Sequence, residues 1–166
     1  MKKSLFSHLK SKSIVETSDI NSEIINSVKW QQVNITKEDI DKLKEMLYSD
    51  DEYLRNAAVY VLFKYLEITD KDIVNKIIEM LNDKNEDFMT KVYIMSAMES
   101  LIRKSNNLDF IKLLYNIYRN TKEDEYVRFA ALQNLLELRG VDSLEMILDD
   151  YSLKDVEKNI LKRLKK

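Results

Sequence analysis

An eight-residue phrase occurs twice in this chain and constrains its fold more than any other feature. It reads DEYLRNAA over residues 51–58 and returns 73 residues later as DEYVRFAA over residues 124–131. A more divergent copy begins at Glu86, about halfway between them. Three copies about 36 residues apart indicate an array of repeats. Each repeat must stack on its neighbours to bury its apolar face, and such arrays usually bind other molecules.

The residue composition indicates that the repeats are helical. The 166 residues include one Gly and no Pro, so most of the turn chemistry that sheets require is missing. Hydrophobic residues make up 45% of the sequence, which is enough for a continuous core. We therefore predict an all-α fold.

Apolar residues at helical spacing divide the chain into an N-terminal segment and a repeat domain. A tail and a capping helix are expected over residues 1–35, and the repeat domain over residues 36–166. The domain holds about four helix pairs, at approximately residues 36–67, 69–103, 107–140 and 142–166. Each pair consists of an A helix, a short acidic turn and a B helix.

Local signals mark several helix ends. Thr36 with Asp39, and Thr69 with Asp72, form capping-box patterns before the first two A helices. Gly140 stands where a helix end needs a residue with positive φ.

The N-terminal residues show a weaker pattern. Leu5, Phe6 and Leu9 fit one side of a short basic helix, although a frayed terminus is favoured. Trp30 is expected to be part of the core.

The repeated phrase resembles the B helix of a HEAT repeat. In that family an acidic turn is followed by an apolar residue, Arg and small residues. The residues that carry the resemblance are Leu54, Arg55, Ala57, Ala58, Val61 and Leu62, and Val127, Arg128, Ala130, Ala131, Leu135 and Leu138. The resemblance to HEAT and armadillo-type arrays implies a right-handed α-α superhelix, a solenoid with B helices lining its concave side.

The resemblance also implies a ladder of ion pairs between neighbouring repeats. The ladder would join Asp51, Asp87 and Asp124 to Arg55, Lys91 and Arg128. The alternative is that the three basic residues contact a partner directly.

The sequence offers few residues for catalysis. It contains no Cys, and His8 is its single His, which disfavours a thiolate nucleophile, a histidine-based zinc site and a Ser-His-Asp triad. One glycine does not make a glycine-rich phosphate loop. We therefore predict that the protein is not an enzyme and expect neither a cofactor nor a metal.

The charge distribution argues against nucleic acid as a partner. Residues 14–152 carry a net charge of −10, whereas each end of the chain carries +4. HEAT-like proteins include alkylpurine DNA glycosylases, which bind DNA across a basic concave face, and bilin lyase subunits. The acidic body disfavours the first of these classes, and no residue requires or excludes the second.

The predicted function is a non-catalytic scaffold that binds another protein on the concave B-helix face. Large apolar and basic side chains that point outward would supply the contacts, as at known interface cores. The candidate binding residues are Arg55, Val59, Tyr60, Phe63, Lys91, Met95, Arg128, Phe129 and Leu132.

Two alternatives remain open. The chain could be an immunity or inhibitor protein that neutralises a toxin by covering its basic cleft, or a lyase-like or accessory subunit of an enzyme. No signal-peptide pattern and no apolar run of about 20 residues is present, so a cytoplasmic location without a membrane span is expected.

Overall fold

The computed structural model describes residues 1–105 and 108–137, and the regular elements in these ranges are all helices. They are α1 (Leu5–Lys10), α2 (Thr17–Lys29), α3 (Lys37–Met46), α4 (Glu52–Val59), a π-helical segment (Tyr60–Tyr65), α5 (Lys71–Asn82), α6 (Phe88–Ser105), α7 (Leu108–Arg119) and α8 (Glu125–Glu137). The predicted all-α class is confirmed, while the superhelical arrangement stays a prediction. Gly140 and the helix pair predicted over residues 142–166 lie outside the described residues.

The chain divides into two compact units, Met1–Met98 and Glu99–Lys166. Helix α6 runs through the boundary between them. The predicted boundary between an N-terminal segment and a repeat domain, at residues 35 and 36, stays a prediction. No helix in the described ranges is long and apolar enough to cross a membrane.

Helix α4 and the π segment form the centre of the first unit, where they pack against α2 and α3. Their fully buried apolar residues are Ala57, Ala58, Val59, Val61, Leu62 and Phe63. The alanine pair of the repeated phrase keeps the side chains short at the start of this stretch. Each larger side chain contributes about 1.5–3 kcal/mol by leaving water.

The helical period widens within this stretch, and more of its residues are buried than a regular helix predicts. The Leu66 amide donates to the carbonyl of Val61, five residues back, at 3.0 Å, a wider turn than the four-residue step of an α-helix. A strict period of 3.6 residues predicts that Val59 and Phe63 point outward. That prediction is wrong, because both side chains are fully buried.

The N-terminal segment is ordered and packed, so the expectation of a frayed terminus is wrong. Leu5 is fully buried, and α1 packs against α2. The carboxylate of Asp39 accepts hydrogen bonds from the amides of Leu5 and Phe6, at 3.2 and 3.1 Å. The same carboxylate completes the capping box with Thr36 at the start of α3, as predicted. One buried carboxylate therefore joins the N-termini of two helices.

Two other local expectations are wrong. The second capping box does not form, because α5 begins at Lys71 after Asp70, and the Asp70 side chain accepts a 2.6 Å hydrogen bond from Lys44 instead. Trp30 is 63% exposed rather than part of the core. It follows the last residue of α2, Lys29, and precedes Gln31, whose backbone is in the left-handed region at φ 52°.

In the second unit, α7 packs on α8. The buried apolar residues of these helices include Leu114 on α7 and Val127 and Ala131 on α8.

A charged cluster fixes α1 to α2 and leads to a prediction about acid stability. The carboxylate of Glu23 lies 2.8 Å from Lys12 Nζ and 3.0 Å from His8 Nε2, and it accepts a hydrogen bond from Ser27. The hydrogen bond from Lys12, with those from His8 and Ser27, lowers the pKa of Glu23 from 4.5 to about 2, although burial opposes the change.

The folded state therefore gains stability from Glu23 above pH 4.5 and loses it as the pH falls towards 2. We expect Glu23→Gln to lower the free energy of unfolding at pH 7 by roughly 2 kcal/mol. As the pH falls below the unfolded-state pKa, the free energy of unfolding should decrease less steeply in this variant than in the wild type. Urea unfolding at a series of pH values measures both effects. The control Glu45→Gln changes an exposed carboxylate on α3. If the free energies of unfolding of wild type and Glu23→Gln fall in parallel below pH 5, this account is contradicted.

Candidate functional site

The structure buries most of the residues that were predicted to form an exposed binding face. Val59, Phe63 and Met95 are fully buried, Lys91 is 2% exposed and Leu132 is 8% exposed. In the first unit, α4 and the π segment lie against α2 and α3, so that little of this stretch faces solvent. The predicted outward stripe of large apolar residues is therefore wrong for these five positions.

The two arginines of the repeated phrase bind backbone carbonyls of the segment that precedes their own helix, Ser49 before α4 and Tyr118 in the last turn of α7. Arg55 donates to the carbonyl of Ser49 at 2.8 Å, and Arg128 donates to the carbonyl of Tyr118 at 3.1 Å. Arg55 also forms a 2.6 Å ion pair with Glu86, and both side chains are largely buried. These contacts give the arginines a structural role in fixing the turn that precedes each helix.

The aspartates of the phrase act as helix caps in this structure. Asp51 accepts from the amide of Tyr53, Asp87 from that of Thr90, and Asp124 from that of Tyr126, at 2.8–3.0 Å. A carboxylate at this position satisfies free amides at the first turn of a helix. Arg55 pairs with Glu86 and not with the aspartate that the ladder predicts.

Four of the nine candidate residues are not fully buried. Phe129, on α8, is 45% exposed, and Arg55, Tyr60 and Arg128 are half-buried. Tyr60 also lines a cavity in the first unit, which makes it the most informative of the predicted positions.

This cavity, which we call the tyrosine pocket, has a volume of about 510 Å³ and opens between α2, the π segment and the first turns of α6. Its volume lies within the usual range for small-ligand sites, about 300–1,000 Å³. The lining residues are Ile25, Asn26 and Lys29 from α2, Tyr60, Lys64 and Tyr65 from the π segment, and Val92, Tyr93 and Ser96 from α6.

Three tyrosine rings dominate the tyrosine pocket. The ring centroid of Tyr60 lies 6.0 Å from that of Tyr65 and 5.3 Å from that of Tyr93, with tilted and edge-on geometries. Five residues of an α-helix turn through about 140° beyond a full rotation, which would separate Tyr60 from Tyr65. The wider π turn brings the two rings together.

The polar groups of the pocket are cationic or neutral. Lys64 Nζ lies 4.8 Å from the centroid of the Tyr60 ring and 3.2 Å from its hydroxyl oxygen. Burial raises the pKa of Tyr65 above its ordinary value, so this phenol stays protonated at neutral pH and can donate a hydrogen bond. Asn26 and Ser96 add neutral donors and acceptors.

A second cavity adjoins the tyrosine pocket and shares Lys29 and Tyr65 with it. This N-terminal cavity has a volume of about 390 Å³ and is also lined by Lys2, Gln31 and Asn34 among others. The chain end is fixed there, because the amide of Asn34 donates to the carbonyl of Lys3 at 2.9 Å and its side chain donates to that of Lys2 at 3.3 Å.

The two cavities carry a local positive charge within an acidic protein. Lys2, Lys29 and Lys64 contribute to their walls, and the described lining residues include no Asp or Glu. Many of the acidic groups lie at helix N-termini, where the repeated aspartates form caps. In the described ranges, no group of three or more His, Asp or Glu residues is placed to hold a metal ion.

The tyrosine pocket combines aromatic rings, on which bases stack at nucleic-acid sites, with lysines, which attract phosphates. The family model of the DNA alkylation repair enzymes matches residues 6–116, about two thirds of the chain. The protein therefore belongs to the DNA alkylation repair enzyme family. No curated protein and no solved structure matches the chain.

The family assignment overturns several predictions. The assignment to the HEAT and armadillo-type family is wrong, because the matching family is that of DNA alkylation repair enzymes. The predictions of a non-catalytic protein-binding scaffold and of a protein that is not an enzyme are wrong for the same reason. The argument against nucleic acid is also wrong, because the name of the family specifies DNA.

Sequence reasoning missed Lys29, Lys64, Tyr65 and Tyr93 as site residues. A net charge averaged over the body of the chain hides three lysines that come together from the N-terminus, α2 and the π segment. The run from Tyr60 to Tyr65 places Lys64 between two tyrosines, and nucleic-acid sites combine aromatic with basic side chains.

Proposed function

We propose that this protein removes alkylated bases from DNA by hydrolysis of the bond between base and sugar, and that the tyrosine pocket recognises the damaged base. The observation that carries the proposal is the family match over residues 6–116. The location of the site is supported by the pocket's volume, aromatic walls and lysines.

The chemistry of an alkylated base suits this pocket. Alkylation of a purine ring nitrogen gives the base a positive charge, and an electron-rich aromatic face attracts a cation by about 0.5–2 kcal/mol. Tyr60, Tyr65 and Tyr93 offer three such rings. The same rings bind an uncharged base only by stacking, so the rings favour the damaged base, whereas Lys29 and Lys64 favour the phosphates beside it.

The proposed reaction uses the charge of the damaged base. The C–N bond to the sugar breaks, its electron pair goes to the base and neutralises the positive charge, and water adds to the sugar carbon with loss of a proton. The 166 residues contain no Cys that could accept the alkyl group instead. Lys29 and Lys64 would hold the adjacent phosphates by charge-assisted hydrogen bonds.

This proposal predicts that the rings of the tyrosine pocket contribute to base release. We expect Tyr60→Leu and Tyr93→Leu each to reduce kcat/KM for release of methylated purines from DNA by about 10-fold, which corresponds to about 1.4 kcal/mol of lost interaction. Leucine keeps an apolar side chain at each position but removes the π face. Chromatographic detection of the free base measures the rate.

Tyr48→Leu is the matched control, because Tyr48 is an exposed tyrosine of the same unit with its own lysine contact, 5.0 Å from Lys76 Nζ, and it lies outside both cavities. It should leave the rate unchanged. Base release that is equally fast in all three variants would remove the tyrosine pocket as the site. Absence of base release by the wild type would overturn the proposed reaction.

A further inference from the structure

We propose that the first unit carries a docking surface for a basic, apolar segment of a partner protein, at the adjacent N-terminal ends of α4 and α6. This surface, which we call the acidic edge, consists of residues 50–53 and 83–89. None of these residues lines the tyrosine pocket or the N-terminal cavity. The inference therefore goes beyond the proposed function and does not depend on it.

An ion pair holds the two helix ends of the acidic edge side by side. Arg55, in the first turns of α4, lies 2.6 Å from a carboxylate oxygen of Glu86, which comes just before α6. Each helix begins with an aspartate cap, Asp51 for α4 and Asp87 for α6. The side chains in the first turns of the two helices are therefore neighbours on the surface of this unit.

Large apolar side chains are exposed on both of these turns. Tyr53 is 44% exposed, Phe88 is 40% exposed and Met89 is 42% exposed. The first turn of a helix favours acidic side chains at its surface, because its free amides carry a partial positive charge. Local helix chemistry therefore does not explain three apolar residues here. A contact surface does, since aromatic residues and Met are enriched at protein interfaces.

The same position of the repeated phrase is exposed in all three of its copies. Tyr53, Met89 and Tyr126 each stand two residues after the aspartate that caps their helix. Tyr126, in the second unit, is 69% exposed. The repeat thus keeps an exposed apolar residue at a position where packing within the unit does not require one.

The charge around the exposed apolar residues indicates the chemistry of the partner. The acidic edge contains six carboxylates, and its positive charges are Lys84 within it and Arg55 beside it, which leaves a net charge of −4. Asp50 and Asp83 are exposed, and Glu52 is half-buried. Negative charge around apolar side chains complements a segment that carries lysine or arginine next to large apolar residues. The same charge repels DNA, so this surface is separate from the lysine-lined cavities.

The test measures the binding of three short, labelled peptides to the full chain by fluorescence anisotropy. The first peptide combines lysine with leucine, the second has glutamate in place of every lysine, and the third has serine in place of every leucine. We expect the lysine–leucine peptide to bind about 10-fold more tightly than either of the others, because it alone matches both the charge and the apolar character of the acidic edge.

A double variant locates the binding site. Tyr53→Ser combined with Met89→Ser should weaken binding of the lysine–leucine peptide by about 10-fold, since a few apolar residues dominate most interfaces. Trp30→Ser is the matched control and should leave binding unchanged. Trp30 is 63% exposed and follows the C-terminal end of α2, whereas Asn21, near the start of that helix, donates to the carbonyl of Tyr53 at 2.6 Å.

Equal binding of the three peptides, or unchanged binding in the double variant, would overturn the inference. A wild-type dimer in sedimentation that the double variant loses would also overturn it, because a second copy would then cover this surface. Release of methylated bases is measured separately and should be unchanged in the double variant. If bases are released but no peptide binds, the docking surface fails and the proposed function stands. If the peptide binds but no base is released, the proposed reaction fails and the docking surface stands.

Discussion

Replacing Phe63 with alanine should lower the free energy of unfolding by about 4 kcal/mol, since removal of a buried phenyl ring loses its transfer energy and leaves a cavity. The Phe63 side chain is fully buried at the centre of the first unit. A purely α-helical reading of the sequence places the same ring on the surface and predicts almost no loss. Urea unfolding followed by circular dichroism distinguishes the two outcomes.

Phe129→Ala is the appropriate comparison. This residue follows Arg128 in the repeated phrase and is 45% exposed, so its removal should cost less than about 1 kcal/mol. The informative quantity is the difference between the losses of free energy of unfolding in Phe63→Ala and Phe129→Ala. A Phe63→Ala variant that unfolds at the same urea concentration as the wild type would show that the ring does not pack in the core.

Replacing Asp39 with alanine should lower the free energy of unfolding by about 3 kcal/mol, because each buried donor left without an acceptor costs about 1–3 kcal/mol. Asp39 is 2% exposed and accepts hydrogen bonds from the amides of Leu5 and Phe6 and from both the amide and the hydroxyl of Thr36, at 2.8–3.2 Å. Its loss would also release α1 from α3. Amide hydrogen exchange should then rise first at Leu5 and Phe6.

The effect of Asp39 should depend on pH in a defined direction. Burial alone would raise its pKa, but the hydrogen bonds from Thr36, Phe6 and Leu5 outweigh burial and hold the pKa below 3.8. The carboxylate therefore stabilises the fold above pH 3.8 and loses that contribution at lower pH. The difference between wild type and Asp39→Ala should shrink on acidification.

Asp41→Ala is the matched control for Asp39→Ala. Asp41 is two residues further along α3 and is exposed, so its removal should change stability by less than about 0.5 kcal/mol. If Asp39→Ala and Asp41→Ala have equal stabilities, the carboxylate of Asp39 does not hold the two helix ends together.

The sequence predicted those parts of the fold that depend on local chemistry. A chain with one glycine and no proline is all-helical where it is described. The capping box of Thr36 and Asp39 forms because its atoms belong to adjacent turns of the chain. Val127, Ala130, Ala131 and Leu135 of the repeated phrase and its helix are buried in α8, although Leu132, which was predicted to point outward, is buried as well.

The candidate site could not be predicted in the same way, because it depends on contacts between distant segments and on a local change of helical period. Lys2, Lys29 and Lys64 are far apart in sequence, and only the folded N-terminal segment brings them to adjoining cavities. A binding face inferred from a regular 3.6-residue period assigned Phe63 to the surface. The helical period is not regular over Tyr60–Tyr65, the π segment that carries two of the three tyrosines of the pocket.

The π segment also makes the tyrosine pocket sensitive to the length of the chain in this stretch. A π turn encloses one residue more than an α turn, so a single in-frame codon separates the two geometries in this stretch. Loss of one residue between Tyr60 and Tyr65 would restore an ordinary α-helix and rotate every later side chain of the stretch by about 100°. Such a deletion would therefore separate the rings of Tyr60 and Tyr65, which are 6.0 Å apart in the tyrosine pocket.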